Sequence, residues 1–221
     1  MFKKMLSYLI PIPIFKQKSN LSKSIEVTWN NGEMVLDSEN TNYSYGSLQR
    51  ILRKGLRNIG YAQVKAMENI LILGVAGGSV IKTLVDEIDF KGQITGVEID
   101  AEIIKVANNY FGLDKIKNLE IVIDDAFEFV LKTKDKYDLI IIDIFQDTTM
   151  PNFLFENFFI DRLDFLLNPK GFVLFNTMIL SPQDLVRNEK YKLAVDKNKF
   201  HLITIDKVEN HNELIILEKL Y

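Results

Sequence analysis

No cysteine occurs in the 221 residues, so disulfides, thiolate nucleophiles and Cys-ligated zinc are excluded together. Histidine is nearly absent. His201 and His211 both lie near the C-terminus and outside any metal-ligand spacing, so neither metal-assisted hydrolysis nor Ser-His-Asp chemistry is favoured and no metal ion is expected. An excess of positive charge is also missing: 27 Lys and Arg stand against 30 Asp and Glu, for a net charge of −3. The lysines are scattered among acids rather than blocked, which predicts a solvated surface and no nucleic-acid partner. No apolar run is long enough to span a bilayer, and no membrane association is expected. The opening "MFKKMLSYLIPIPIF" is interrupted by Pro11 and Pro13 and lacks a small-residue cleavage site, so it reads as a packing or dimer-contact arm rather than a signal peptide. The expected address is cytoplasmic.

The composition that remains, 47% hydrophobic and 26% charged, is that of an ordinary globular chain with room for one large domain and a small appendage. Residues 24–37, "SIEVTWNNGEMVLD", alternate in polarity around an Asn-Asn-Gly turn and predict a β-hairpin. Leu48, Ile51, Leu52, Leu56 and Ile59 recur at helical spacing and predict a helix over 45–59. Strands are then expected at 69–74, 93–99, 119–125, 137–143 and 171–176, with helical patterns between them, as in a parallel sheet covered on both faces. The last two strands, 200–208 and 212–220, are separated only by "ENH" and must therefore pair antiparallel. The expected fold is α/β: a doubly wound, seven-stranded, mostly parallel Rossmann-like sheet that ends in an antiparallel hairpin. The division expected is an N-terminal arm and β-hairpin over 1–44 and the larger domain over 45–221.

In such sheets ligands sit beyond the carboxyl ends of the strands. The first strand ends in Gly74-Val75-Ala76-Gly77-Gly78, a turn opening a helix whose free N–H groups suit an anionic group, although close strand–helix packing produces such turns too. The second ends in Glu98-Ile99-Asp100, 24 residues after Gly74, where a carboxylate can accept from a ribose diol. Asp100 reads equally as a helix N-cap. The third ends in Asp124-Asp125-Ala126, with Asp124 read as solvent-facing, and the fourth in Asp143 followed by Ile144, Phe145, Gln146 and Asp147. Together these ends suit adenosine carrying an amino-acid-like tail. Phe145, Phe153, Phe155, Phe158 and Phe159 are candidates for an aromatic pocket, with helical core packing the simpler reading for the last two.

The segments "NYSYGSLQ" (42–49), "LILGVAGGS", "GVEID", "DDAFEFV" and "YDLIIIDIF" resemble the spermidine synthase-like branch of the class I S-adenosylmethionine-dependent methyltransferase superfamily, from about residue 24 onward. The resemblance implies that Gly74, Val75, Ala76, Gly77 and Gly78 line the cofactor. It also implies that Glu98 and Ile99 hold the ribose side, that Asp125 and Ala126 border the adenine, and that Asp143 lies at the reacting centre as the catalytic residue. Tyr45, Gln146 and Asp147 would shape the substrate pocket.

Three departures bear on the reaction. Polyamine-making members of that family carry an aspartate where this chain has Gly77, an acid where it has Ser47, and a proline-containing run after the fourth strand where it reads "DIFQD". An aspartate in the first loop suits the bare ammonium tail of decarboxylated S-adenosylmethionine, whereas a glycine leaves backbone donors for a carboxylate tail. The expectation is therefore a methyltransferase that uses S-adenosyl-L-methionine on a small polar acceptor. The alternatives are an aminopropyltransferase using decarboxylated S-adenosylmethionine, with Asp143 and Asp147 on a diamine, and a non-catalytic nucleotide-binding protein. A homodimer through the N-terminal region is a further expectation.

Overall fold

A computed structural model describes residues 2–19, 21, 23–37, 42–145 and 149–221. It begins with the short helix α1 (Phe2–Leu6) and four strands, β1 (Ile12–Ser19), β2 (Lys23–Asn30), β3 (Glu33–Asp37) and β4 (Asn42–Ser44), which form an antiparallel sheet in that order. The expected hairpin is β2–β3. Asn31 and Gly32 at its turn take φ of 49° and 81°, the positive pair that a primed two-residue turn requires. The N-terminal unit is larger than a hairpin, because residues 12–19 of the arm form a strand that pairs with β2. Pro13 is tolerated there because β1 is an edge strand, and the pairing with β2 shifts between Pro13 and Phe15.

Next come α2 (Gly46–Ile59) and α3 (Tyr61–Lys65), then β5 (Asn69–Leu73) and α4 (Ser79–Lys82), which runs on in wider turns over Thr83–Glu87. The alternation continues with β6 (Gln93–Glu98), α5 (Ala101–Val106), β7 (Leu119–Ile123), α6 (Ala126–Lys132) and β8 (Tyr137–Ile142). It closes with α7 (Asn157–Leu166), β9 (Leu167–Met178), α8 (Pro182–Ala194), β10 (Phe200–Val208) and β11 (Asn212–Lys219). The second sheet has the order β10-β11-β9-β8-β5-β6-β7, with β5 to β9 parallel and the last two strands antiparallel, as the sequence predicts.

The run "NILIL" of β5 is continuous in hydrophobicity because both of its faces are covered. Ile70 and Ile72 pack with Leu52, Leu56, Ile81 and Leu84 on one face, while Leu71 and Leu73 pack with Phe159, Leu163 and Phe175 on the other. The predicted face of α2 is buried throughout, and a Cβ on Gly55 of that helix would meet Leu174 at 2.4 Å. The N-terminal sheet docks on this body through Ile25, Val27 and Leu36, which contact Ile103 and Val106 of α5. Strand order reverses between β5 and β8, so the switch point lies between their carboxyl ends, Leu73 and Ile142. Among the described residues no helix is long and apolar enough to cross a membrane.

Candidate functional site

The two strand ends at the switch point are in direct backbone contact. Asp143 donates its N–H to the Leu73 carbonyl at 2.9 Å, and Gly74 turns away with φ +88°. A Cβ on Gly74 would lie 2.2 Å from the Asp143 carbonyl oxygen, so only glycine lets β5 and β8 end side by side. After Gly74 the loop alternates in direction. Gly74 and Ala76 line a cleft that opens to solvent, whereas the Val75 side chain is buried under Gly96.

Glu98, at the end of β6, holds this loop in place. Its Oε2 accepts the N–H groups of Val75 at 3.1 Å and Ala76 at 3.0 Å, and its Oε1 accepts that of Asp100 at 3.1 Å. The side chain is almost fully buried, and this burial raises its pKa against the opposing effect of the three N–H donors. Oε1 takes a single backbone bond, so it retains accepting capacity toward the cleft. Asp100 is the N-cap of α5, accepting from Glu102 N–H at 3.0 Å, and also accepts from the Ser19 hydroxyl of β1 at 2.5 Å. Asp125 caps α6 through Phe127 N–H at 2.7 Å while lining the cleft with Ala126. Half-buried Asp124 lines the cleft as well, and its N–H donates to the Glu98 carbonyl at 3.2 Å across β6–β7.

Asp143 stands between these groups. Its Oδ1 accepts from Asn176 Nδ2 at 2.8 Å, and burial, reinforced by the nearby Glu98 charge, pushes its pKa up to about 7 against that hydrogen bond. Glu98, Asp124, Asp125 and Asp143 thus share one cleft, and its described lining residues include no lysine or arginine. Its apolar walls come from several elements, among them Leu48 of α2, Val97 of β6, Ile103 of α5 and Phe145 and Phe153 beyond β8.

The structure therefore brings Gly74, Ala76, Glu98, Ile99, Asp125, Ala126 and Asp143 together around one cleft. Val75 contributes only its N–H, and Gly77 and Gly78 are not among the residues that line the cleft. A Cβ on Gly77 would meet Ser44 Cβ at 2.8 Å and Leu36 at 3.3 Å, and one on Gly78 would meet Leu113 at 2.4 Å. The Ser44 hydroxyl accepts from Ser79 N–H at 3.1 Å, so β4 already occupies the start of α4. Tyr45 does not line the cleft. Its ring stacks on Phe111 at 4.6 Å, and burial with the nearby Asp86 charge drives its pKa upward. Gln146 and Asp147 lie outside the described residues. Of the phenylalanines, Phe145 and Phe153 reach the cleft, while Phe155 packs on Phe175 and Tyr191. Phe159 is core as expected, but Phe158 is 41% exposed. Sequence reasoning missed Asn176, a fully buried amide directly after the apolar run Phe172–Phe175, and that contrast was the available signal.

Comparison with known proteins bears on the reaction. Residues 24–207 match the family model described as spermine/spermidine synthase domain. A polyamine aminopropyltransferase of Prochlorococcus marinus is 33% identical over 118 residues, covering 50% of this chain and 41% of that protein. A probable polyamine aminopropyl transferase of Bifidobacterium longum is 33% identical over 111 residues, covering 50% of this chain and 24% of that one. The chain thus spans less than half the length of these curated relatives. The crystal structure of a probable spermidine synthase from Corynebacterium glutamicum superposes with a TM-score of 0.73 at 17% identity, covering 94% of this chain and 79% of that one, which shows a shared fold.

These relatives overturn the expectation of methyl transfer, which rested on the missing aspartate at Gly77. The physical reason is the direction of that residue. Its Cβ would point into Ser44 and Leu36, so glycine is required there by the docking of the N-terminal sheet whatever tail the ligand carries.

Proposed function

Because the chain belongs to the spermine/spermidine synthase domain family, we propose that it is an aminopropyltransferase, moving an aminopropyl group from decarboxylated S-adenosylmethionine to a small amine. The observation that carries this reading is the charge of the cleft: four carboxylates, Glu98, Asp124, Asp125 and Asp143, and no lysine or arginine among its described lining residues. Both partners of the reaction are cations without a carboxylate, and a cleft of this kind attracts them, whereas its described lining residues supply no lysine or arginine to pair with a carboxylate tail. The relatives named as polyamine aminopropyltransferases support the same choice.

In this reading Glu98 has two tasks. It braces the Gly74–Ala76 loop through backbone N–H groups, and its Oε1 accepts from a ribose hydroxyl of the donor. Asp125 and Ala126 border the base. Asp143 faces the reacting centre. The acceptor nitrogen, as the neutral amine end of an acceptor charged at its other end, attacks the propyl carbon next to the sulfonium, the carbon–sulfur bond breaks with its electron pair left on sulfur, and neutral 5′-methylthioadenosine departs. Asp143 takes the proton that the nitrogen releases, and a carboxyl with a pKa near 7 is matched to that task at neutral pH. Phe145 and Phe153 keep water from the sulfonium.

Incubating the protein with decarboxylated S-adenosylmethionine and a panel of diamines and triamines tests the proposal. Mass spectrometry should find 5′-methylthioadenosine and an amine heavier by one aminopropyl unit in equal amounts. Absence of both products with every amine would overturn it.

A further inference from the structure

Beyond Asp143 the hydrogen bonding continues into the protein. Asn176 Nδ2 donates to Asp143 Oδ1 at 2.8 Å, and Asn212 Nδ2 donates to Asn176 Oδ1 at 3.0 Å. Asn176 is 0% and Asn212 8% exposed, so neither amide can exchange these partners for bulk water. The topology explains how the second amide reaches the site. Parallel strands point their carboxyl ends toward the cleft, as β8 and β9 do, with Asp143 directly after β8 and Asn176 near the end of β9. Because β11 runs antiparallel to β9, it delivers its first residue, Asn212, which pairs with Met178 while Leu214 pairs with Asn176.

We propose that Asn176 and Asn212 form a two-amide relay that orients Asp143, with Asn212 the positioning residue that decides which end of the Asn176 amide faces the carboxylate. The role assigned to Asp143 rests on the aminopropyltransferase reading, but the relay itself does not. An amide presents either two donors or an acceptor to a neighbour. Asn212, by donating to Asn176 Oδ1, turns the Asn176 NH₂ toward Asp143, and a donor there favours the ionised carboxylate. The relay thereby opposes burial and the charge of Glu98, the ionisable group whose field raises Asp143 from the end of β6; Asp124 and Asp125 line the same cleft from the β7–α6 turn. With Asp143 Oδ1 committed to Asn176, Oδ2 is left to take a proton from substrate. Removing the Asn212 donor frees the Asn176 amide to rotate and present its oxygen, which suits only a protonated Asp143.

The test reads the carboxyl directly and requires no turnover. Asp143 is titrated by carbon-13 NMR of aspartate carboxyl carbons in the ligand-free full chain, its signal assigned by its loss in Asp143→Asn. Asn212→Leu should move the midpoint upward by about 0.5–1 pH unit, and Asn176→Leu by at least as much, since each removes the donor to the charged form. The double variant should match Asn176→Leu alone, because Asn212 acts only through Asn176. Asn212→Ala, the milder replacement, also removes the donor, keeps the measurement possible should the leucine variant fail to fold, and should move the midpoint upward as well. An unchanged midpoint in the folded Asn212 variants, or full additivity in the double variant, overturns the relay. Aminopropyl transfer failing while the midpoint shifts as expected would sink the functional reading and leave the relay standing.

Discussion

A Cβ placed on Gly74 would sit 2.2 Å from the carbonyl oxygen of Asp143. The residue that opens the glycine loop and the carboxylate proposed to take the proton are thereby fixed to each other through the backbone. Gly74→Ala should be strongly destabilising, because alanine at φ +88° is strained and its methyl must displace the end of β8. The expected loss is about 2–4 kcal/mol, backbone strain and overpacking combined. Urea unfolding checks it, and a loss under about 0.5 kcal/mol would show that the two strand ends separate easily.

Gly77 answers to the N-terminal sheet. Gly77→Ala and Gly77→Asp should both weaken the protein by about 1–3 kcal/mol, since each drives a Cβ into Ser44 and Leu36. Restoring the aspartate of the polyamine synthases at this position should not tighten donor binding. Calorimetry with decarboxylated S-adenosylmethionine decides the matter, and a tenfold gain in affinity for Gly77→Asp, about 1.4 kcal/mol, would mean that the residue faces the ligand after all.

Asp143→Asn separates stability from chemistry. The folded state holds the Asp143 carboxyl near 7 against an ordinary value of 3.8. Between those values the folded protein binds the proton more tightly than the unfolded chain. The associated stability is full at pH below about 4 and is lost as pH rises through about 7, above which folding must bury a charge. Asparagine avoids that cost and still accepts from Asn176. Its stability advantage over the parent should therefore grow from pH 5 to pH 8 and reach at most about 4 kcal/mol, three pKa units at about 1.4 each. Thermal unfolding across that range measures it. Aminopropyl transfer by the same variant should fall at least about 100-fold, the usual worth of a positioned base.

Glu98→Gln tests the brace of the loop. The carboxylate accepts three backbone N–H groups on two oxygens, and a glutamine has only one oxygen to offer. A donor must face a donor, at about 1–3 kcal/mol. Binding of 5′-methylthioadenosine should weaken by about tenfold or more as the loop loosens, and amide exchange at Val75 and Ala76 should quicken. Unchanged binding together with unchanged exchange would mean that the loop keeps its shape without Glu98.

Much of this arrangement is legible along the chain. Strands β5 and β8 announce themselves as Ile, Leu and Val runs because both of their faces are covered, and α2 through an apolar stripe buried in full. Glu98, Asp125 and Asp143 are found because each stands at or within two residues of the carboxyl end of a strand. Other elements carry no such pattern. Strand β1 contains Pro13, which reads as a breaker until its place at a sheet edge is known. Helix α8 buries Asn188 and Tyr191 while exposing Leu185, Val186 and Leu193, so hydrophobic periodicity misses it. Its one local sign is the capping box of Ser181 and Asp184.

The sequence by itself determined the alternation of strands and helices in the central sheet and the acids at the strand ends, since both depend on neighbours in the chain: hydrophobic period, turn chemistry and the step from strand to loop. Only the tertiary structure decided where each loop side chain points. Gly77 turns toward Ser44, Tyr45 stacks on Phe111, and Asn212 reaches Asn176 across an antiparallel pair. Those directions follow from contacts between segments far apart in the chain, in this case the packing of the N-terminal sheet and the reversal of the last strand. That is why the missing charge at Gly77 pointed to the wrong transfer reaction.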